Sequence, residues 1–347
     1  MSVVVNSEKL RDYCQSLYVA LGMPQEEAFT AADSLVEADM CGMASHGVSR
    51  MKIYTKRLET GVVQNKLNLT ILDEGPSTLC LDAGNSVGSV VGKRATELTI
   101  AKAKKNGCCF TTVRSSNHLG TMAYYLNMMA KAGMIGFAAT NAPPNIAPTG
   151  SYSPYLGTNP FAVIAPTTGE PVVLDIATCV VAKGKVILAA KEGRSIPEGW
   201  ALTADGKPTT DPNEGMKGTM VPIGAHKGYG LAFFVDVLCG VLAGAKFGPH
   251  LGNLFEDFVN PQDVGHTFMA IDIARFCPVD DFKERLTQMV SEIKALPRIE
   301  GVSEIFVPGE IEQRRRAAAL ENGVTMSDVV YEELRELSER YNVAFTI

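Results

Sequence analysis

His46 and Arg50 stand four residues apart in Ser45-His46-Gly47-Val48-Ser49-Arg50, so on a helix they share one face. An arginine fork beside a titratable imidazole suits a substrate with a carboxylate next to a carbonyl. The guanidinium receives the carboxylate, and the imidazole supplies or removes a proton on the neighbouring oxygen. The same six residues also read as a helix cap followed by a surface arginine. A second polar island, Arg114-Ser115-Ser116-Asn117-His118-Leu119-Gly120, follows a β-type run and opens a helical pattern. Polar side chains at a strand's carboxyl end are where α/β sites collect, although His118 can equally cap the next helix. In the third island, Leu156-Gly157-Thr158-Asn159-Pro160 with Asn141-Ala142-Pro143-Pro144-Asn145 before it, Thr158 and Asn159 either donate to a small polar ligand or form a turn before a strand.

Three further segments suit an anion. Asp175-Ile176-Ala177-Thr178 ends a strand, and His226-Lys227-Gly228-Tyr229-Gly230 opens an apolar helix. A lysine at a helix amino terminus opposes the macrodipole, so an anionic ligand is expected there. Pro308-Gly309-Glu310 opens another helix with a free amide cluster. The usual phosphate cradles are missing. The GxG at Gly228-Tyr229-Gly230 follows no strand, and Gly88 to Arg94 is one residue short of a P-loop, which disfavours both standard nucleotide folds. Histidines at 46, 118, 226, 250 and 266 form no HExxH or HxH pattern, so no metal site is expected. There is also no GxSxG nucleophile elbow.

The elements that must position these islands are of two textures. Helical patterns fill the first 60 residues: one capped by Asn6 or Ser7, one opened by Pro24, and one capped by Ser45 and ending near Gly61. From Leu69, short β-type runs at 69–72, 78–81, 108–113, 135–140, 161–165 and 172–174 are separated by turns or by helical patterns at 89–105 and 120–132. Residues 191–225 are rich in Gly, Pro, Asp and Thr and read as a surface excursion with a small hairpin. A buried helix over 228–245, a strand over 267–273, a helix over 282–295, a short strand at 304–307 and helices over 309–321 and 326–340 complete the chain. The fold class is mixed α/β (α+β). A helical domain comprises residues 1–65 with 310–347, and an α/β domain that binds cofactor and substrate spans 66–309.

With 347 residues, 46% hydrophobic and 20% charged, the chain is of ordinary globular composition and long enough for about two domains. A net charge of −6 and the lack of a basic stripe with aromatics argue against nucleic acid. The apolar stretch from Gly228 to Ala245 contains Asp236 and internal glycines, which argues against a membrane span. Eight cysteines without a CxxC, and a start without a basic-then-apolar leader, point to the cytoplasm.

Together, SHGVSR (45–50), NHLG (117–120), GTNPFA (157–162), DIAT (175–178), GWALTADGKPTTDP (199–212), HKGYG (226–230) and VPGE (307–310) resemble, in order and over nearly the whole chain, the type-2 malate/L-lactate dehydrogenase family. This family also holds ureidoglycolate, sulfolactate and diketogulonate enzymes and cyclic-imine reductases. The resemblance implies an NAD(P)-dependent oxidoreductase on a non-Rossmann fold with a largely antiparallel mixed sheet, assembled as a homodimer with the active site near the subunit interface. It implies hydride transfer between nicotinamide and a 2-hydroxy or 2-oxo acid such as malate, lactate or ureidoglycolate. His46 or His118 is then the acid/base, and Ser45, Arg50, Thr158 and Asn159 line the substrate. Asp175, Ile176, Ala177, His226, Lys227, Pro308, Gly309 and Glu310 contact NAD or NADP. Cys179, where serine is usual, and Ala225-His226, where small residues are common, depart from the family pattern. Two other readings stand beside this one: a cyclic imino-acid reductase of the same fold, and a cofactor-free lyase or small-acid binding protein.

Overall fold

A computed structural model describes residues 2–347. The chain opens with β1 (Ser2–Val5), α1 (Ser7–Ala20), α2 (Gln25–Met40) and α3 (Met51–Glu59). The sheet region follows as β2 (Thr70–Glu74), β3 (Thr78–Asp82), α4 (Gly88–Asn106), β4 (Cys108–Ser116), α5 (Ala123–Lys131), β5 (Met134–Thr140), β6 (Phe161–Ala165) and β7 (Val172–Ile176). Next come α6 (Lys183–Lys191), β8 (Ala201–Leu202), β9 (Pro208–Thr209), α7 (Pro212–Lys217), β10 (Thr219–Met220) and α8 (His226–Asp236). The last elements are β11 (Val264–Asp272), α9 (Val279–Lys294), α10 (Glu310–Asn322), β12 (Val324–Ser327) and α11 (Asp328–Tyr341).

Local chemistry sets several boundaries. Asn6 accepts from the amides of Glu8 and Lys9 and starts α1, and Asp211 with Pro212 starts α7 in the same way. Gly107 closes α4 at φ +93°, a left-handed conformation that favours glycine. Leu10, Tyr13 and Leu17 of α1 pack with Leu35 and Val36 of α2 and with Leu334 and Leu337 of α11 in one apolar cluster. A second cluster, with Leu81, Val91, Leu126, Met129 and Phe268, lies beneath the sheet.

The seven-stranded sheet runs β2-β3-β4-β11-β5-β6-β7. Only β3 and β4 are parallel; every other neighbouring pair is antiparallel. The mixed, largely antiparallel sheet is thus observed, and its connectivity brings five chain segments to one end. The carboxyl ends of β3, β4, β5 and β7 and the amino ends of β6 and β11 coincide there, so the loops after Asp82, Ser116 and Ile176, the loop from Thr140 to Phe161 and the loop before Val264 share a rim.

Four expectations need correction. Ser45 caps nothing: residues 44–46 and 48–50 form successive 3-10 turns, and α3 starts uncapped at Met51, because Gly47 breaks the helical path. Residues 304–307 form no strand; only the Pro308 carbonyl meets the sheet edge, accepting from Val173 N at 3.0 Å. The 228–245 segment is α8 continued by a π-helical stretch, Val237–Leu242, and it leaves Leu231, Phe233, Phe234, Val241 and Leu242 exposed, with Phe234 at 65%. Its apolar pattern reported hydrophobicity, which does not by itself say that each residue is covered. The amino-terminal layer is also not purely helical, since β1 pairs antiparallel with β12. The expected hairpin appears as β8 and β9 about Asp205-Gly206, with β10 added.

Candidate active site

The rim of the sheet carries His118 two residues beyond β4, and the 44–50 turns of the helical layer close over it. The His46 and His118 rings stack with centroids 5.6 Å apart and an interplanar angle of 27°. Each ring has a hydroxyl on Nδ1: Ser45 Oγ lies 2.9 Å from that of His46, and Tyr54 Oη lies 2.6 Å from that of His118. A hydroxyl can donate to a bare nitrogen or accept from a protonated one, so both protonation states are accommodated and Nε2 is left free of these partners. Burial, followed by the charge of Arg50, lowers the His46 pKa to about 4. Burial, followed by His46, Arg50 and His266, holds His118 well below the usual imidazole range. Two stacked imidazoles beside a guanidinium do not both carry a proton; the pair titrates as a unit.

Arg50 Nε donates to the Ser45 carbonyl at 2.6 Å, and its guanidinium lies over the Phe255 ring at 5.0 Å. Among the described residues it forms no ion pair, so the fork stays available to an acid. The turn that presents His46 and Arg50 is pinned from behind: Asp39, near the end of α2, accepts from Val48 N at 2.7 Å. A side chain on Gly47 would overlap the Asp39 carboxyl group. Burial raises the pKa of that carboxyl to about 7. On the sheet side, Gln262 Oε1 accepts from His118 N at 3.2 Å, and Asn117 Nδ2 donates to Asn85 Oδ1 and the Ser86 carbonyl, both at 2.9 Å. Fully buried His266 bridges Thr140 Oγ1 and Ser116 Oγ, each at 2.8 Å, tying two rim strands together.

The remaining islands meet through backbone. Thr178 N and Oγ1 both donate to the Thr158 carbonyl, at 2.9 and 2.8 Å, and Ile223 N donates to the Thr178 carbonyl at 3.0 Å. A Cβ on Gly228 would lie 2.7 Å from that same carbonyl, so only a glycine lets α8 begin so close to the 175–178 segment. His226 and Lys227 are exposed at this helix start, and Lys227 forms no ion pair among the described residues. Ala225, just before it, takes a left-handed φ of +55°. An unpaired cation, a helix amino terminus and an approach too close for any Cβ fit a phosphate-bearing dinucleotide. Gly309 presses against β7 with φ +86°, where a Cβ would lie 2.8 Å from the Val173 carbonyl.

Some expected site residues are engaged elsewhere. Asn159 is fully buried, accepting from Ala142 N at 3.0 Å and donating to the Ala232 carbonyl at 2.9 Å, so its amide orders loops. Asp175 caps α5 by accepting from Ala123 N at 2.9 Å, and burial raises its pKa to about 6. Glu310 is held by Lys294 at 2.6 Å and by Arg314 at 2.6 Å. Ile176 and Ala177 are half-buried beside Thr178. Sequence reasoning missed Tyr54, Asp39, Gln262 and Phe255. Of these only Tyr54 had a signal, lying four residues past Arg50 on the helical face that His46 and Arg50 were expected to share. Lys183-Gly184 was also missed; a Cβ on Gly184 would lie 3.5 Å from that of Ser45, so α6 begins against the turn. Among the described residues no group of three His, Cys, Asp or Glu side chains could hold a metal ion.

A family model described as malate/L-lactate dehydrogenase matches residues 5–335. A malate dehydrogenase of Pyrococcus horikoshii is 39% identical, covering 98% of this chain and 96% of the relative. A ureidoglycolate dehydrogenase (NAD(+)) of Escherichia coli is 31% identical, covering 95% of this chain and 94% of the relative. Among solved structures, the malate dehydrogenase of Entamoeba histolytica superposes with a TM-score of 0.96 at 30% identity over the whole of both chains. A delta1-piperideine-2-carboxylate reductase of Pseudomonas syringae superposes with a TM-score of 0.87 at 29% identity, covering 96% of this chain and 99% of the other. The chain belongs to the malate/L-lactate dehydrogenase family.

Proposed function

We propose that this family member, an oxidoreductase, moves a hydride between NAD or NADP and the carbon beside the carboxylate of a small 2-hydroxy or 2-oxo acid, of the malate, lactate or ureidoglycolate kind. The observation that carries the reading is the stacked His46–His118 pair with an unpaired Arg50 on its flank. Bound nicotinamide supplies the hydride acceptor or donor. Lys227 and the α8 amino terminus, with the Thr178 turn and the backbone at Pro308-Gly309, are the groups that hold the dinucleotide.

The chain's own residues manage charge and protons. Arg50 grips the substrate carboxylate and Thr158 assists. One imidazole of the pair takes the hydroxyl proton during oxidation and returns it during reduction, while the Nδ1 hydroxyl partner keeps Nε2 aimed at the substrate oxygen. A carboxylate arriving at Arg50 cancels the charge that depresses His46, so substrate binding raises the imidazole's proton affinity when the proton is needed. The assembly is a homodimer in which the exposed apolar residues of α8 and its π-helical continuation meet a second copy, since clustered exposed apolar side chains mark an interaction surface. The eight unpaired cysteines favour the cytoplasm as its compartment.

A second reading, reduction of a cyclic imino acid, draws on the likeness to the piperideine-carboxylate reductase, because a C=N carbon beside a carboxylate asks the same of Arg50 and the histidines. Oxidation of NADH and NADPH, followed at the nicotinamide absorbance against pyruvate, oxaloacetate, oxalurate, sulfopyruvate, diketogulonate and a cyclic imino acid, separates the two. Faster turnover of the imine selects the reductase, and failure to bind either dinucleotide overturns both readings.

A further inference from the structure

Behind the Tyr54–His118 pair lies a feature that the proposed reaction does not use. Arg57, three residues beyond Tyr54 on α3, is only 1% exposed. Its Nη1 donates to the carbonyls of Asn253, Leu254 and Asp257, at 3.4, 3.2 and 2.6 Å. Its Nε and Nη2 have no partner among the described residues. These two groups make up the side-on edge of the guanidinium, a pair of parallel donors that receives anions. Tyr18, also 1% exposed, has an unpartnered hydroxyl, and Asn117 has an unpartnered Oδ1.

All three residues line one cavity, in which the centre of a water-sized guest has about 30 Å³ to move. Gly88 and Ser89, the first residues of α4, line it too. That helix is 19 residues long and has no side-chain cap, so its amino terminus adds positive potential to the cavity. No Asp or Glu is among the lining residues. An arginine does not escape burial by losing its proton, so the cavity holds a positive charge that none of its lining residues neutralises; the Asp257 carboxylate acts on Arg57 from outside the lining.

We infer that this cavity is an internal site for one halide ion, chloride under ordinary conditions, held by Arg57 Nε and Nη2 and the Tyr18 hydroxyl. That room admits a monatomic anion and one water, which donates to Asn117 Oδ1 and to the ion. Tyr54 and His118 of the candidate active site line the same cavity.

Crystals of the intact enzyme grown in bromide test this directly by anomalous diffraction at the bromine edge. The expected result is a peak within hydrogen-bond distance of Arg57 Nε and Nη2; ordered water there without anomalous signal, or bromide only at the surface, overturns the site. In solution, melting temperature is followed against sodium chloride and, at matched ionic strength, against sodium methanesulfonate, a polyatomic anion of the same charge that is not a hydroxy acid. Chloride is expected to raise it by about 3 °C over the methanesulfonate control. Tyr18→Phe, which removes one hydroxyl and leaves the Arg57 loop anchors in place, is expected to shrink that difference. Identical chloride and methanesulfonate curves for the unsubstituted enzyme refute the proposal.

Discussion

At the scale of residues, the properties of His46 and His118 come from what surrounds them. Both are neutral in the free enzyme across the physiological range, so each is a ready base and a poor acid until substrate arrives. The acid limb of kcat/KM for hydroxy-acid oxidation, which reports the free enzyme, is therefore expected near pH 4, where His46 takes up its proton. Arg50→Leu removes the second cause of that depression and should move the limb upward, toward the ordinary imidazole value. A limb that stays in place in the variant detaches Arg50 from the histidine pair. The same variant should raise KM for the acid and lower kcat/KM by about 2–4 kcal/mol if the charge pair is desolvated. His46→Ala and His118→Ala distinguish the proton carrier: one should lose about 10²–10⁴-fold in kcat at saturating substrate, while the other chiefly raises KM. If neither variant lowers kcat, the proton passes through water or another group.

At the scale of elements, the active site is a turn from one layer pressed onto the rim of another. Gly47 lies against the Asp39 carboxyl without requiring a left-handed φ, its own value being −88°. Gly47→Ala is thus a purely steric test, expected to cost about 1–3 kcal/mol of stability and to reduce kcat by displacing His46. A melt and a rate assay on the purified variant check it, and unchanged values mean that the turn has slack. Asp39 also carries a pH signature. Its folded pKa of about 7 exceeds the unfolded value of 3.8, so its contribution to stability is fully present below pH 3.8 and is lost as pH rises through about 7. Asp39→Asn keeps an acceptor for Val48 N and cannot ionise. Relative to the unsubstituted enzyme it should gain thermal stability between pH 4 and pH 8, and a difference that is flat across those melts contradicts the assignment.

At the scale of the whole molecule, aromatic and aliphatic side chains of α8 stand exposed, and the proposed association of two copies would cover them. Sedimentation should find twice the chain mass at micromolar concentration. Phe234→Asp, at the most exposed aromatic of that helix, should shift the population toward monomer and lower activity with it. A variant that remains dimeric directs attention to another face. Among the described residues no helix is long and apolar enough to cross a membrane.

By itself the sequence determined the kinds of groups available and where regular structure begins and ends. Spacing marked His46, Arg50 and His118, glycine and capping residues marked most boundaries, and the order of polar islands marked the family. These properties are local or reside in residue type, and a linear pattern carries them. Only the tertiary structure decided which polar atoms remain free. Asn159 and Asp175 are chemically able to hold a ligand, yet each is bonded to protein groups far along the chain, and Glu310 is held by Lys294 and Arg314, whereas Tyr54, whose spacing from Arg50 did not name its partner, stands 2.6 Å from His118. The same holds for α8, whose apolar residues predict burial without naming what buries them. Hydrogen-bond satisfaction and desolvation depend on through-space neighbours, and those are set by how the sheet rim and the helical layer close on one another.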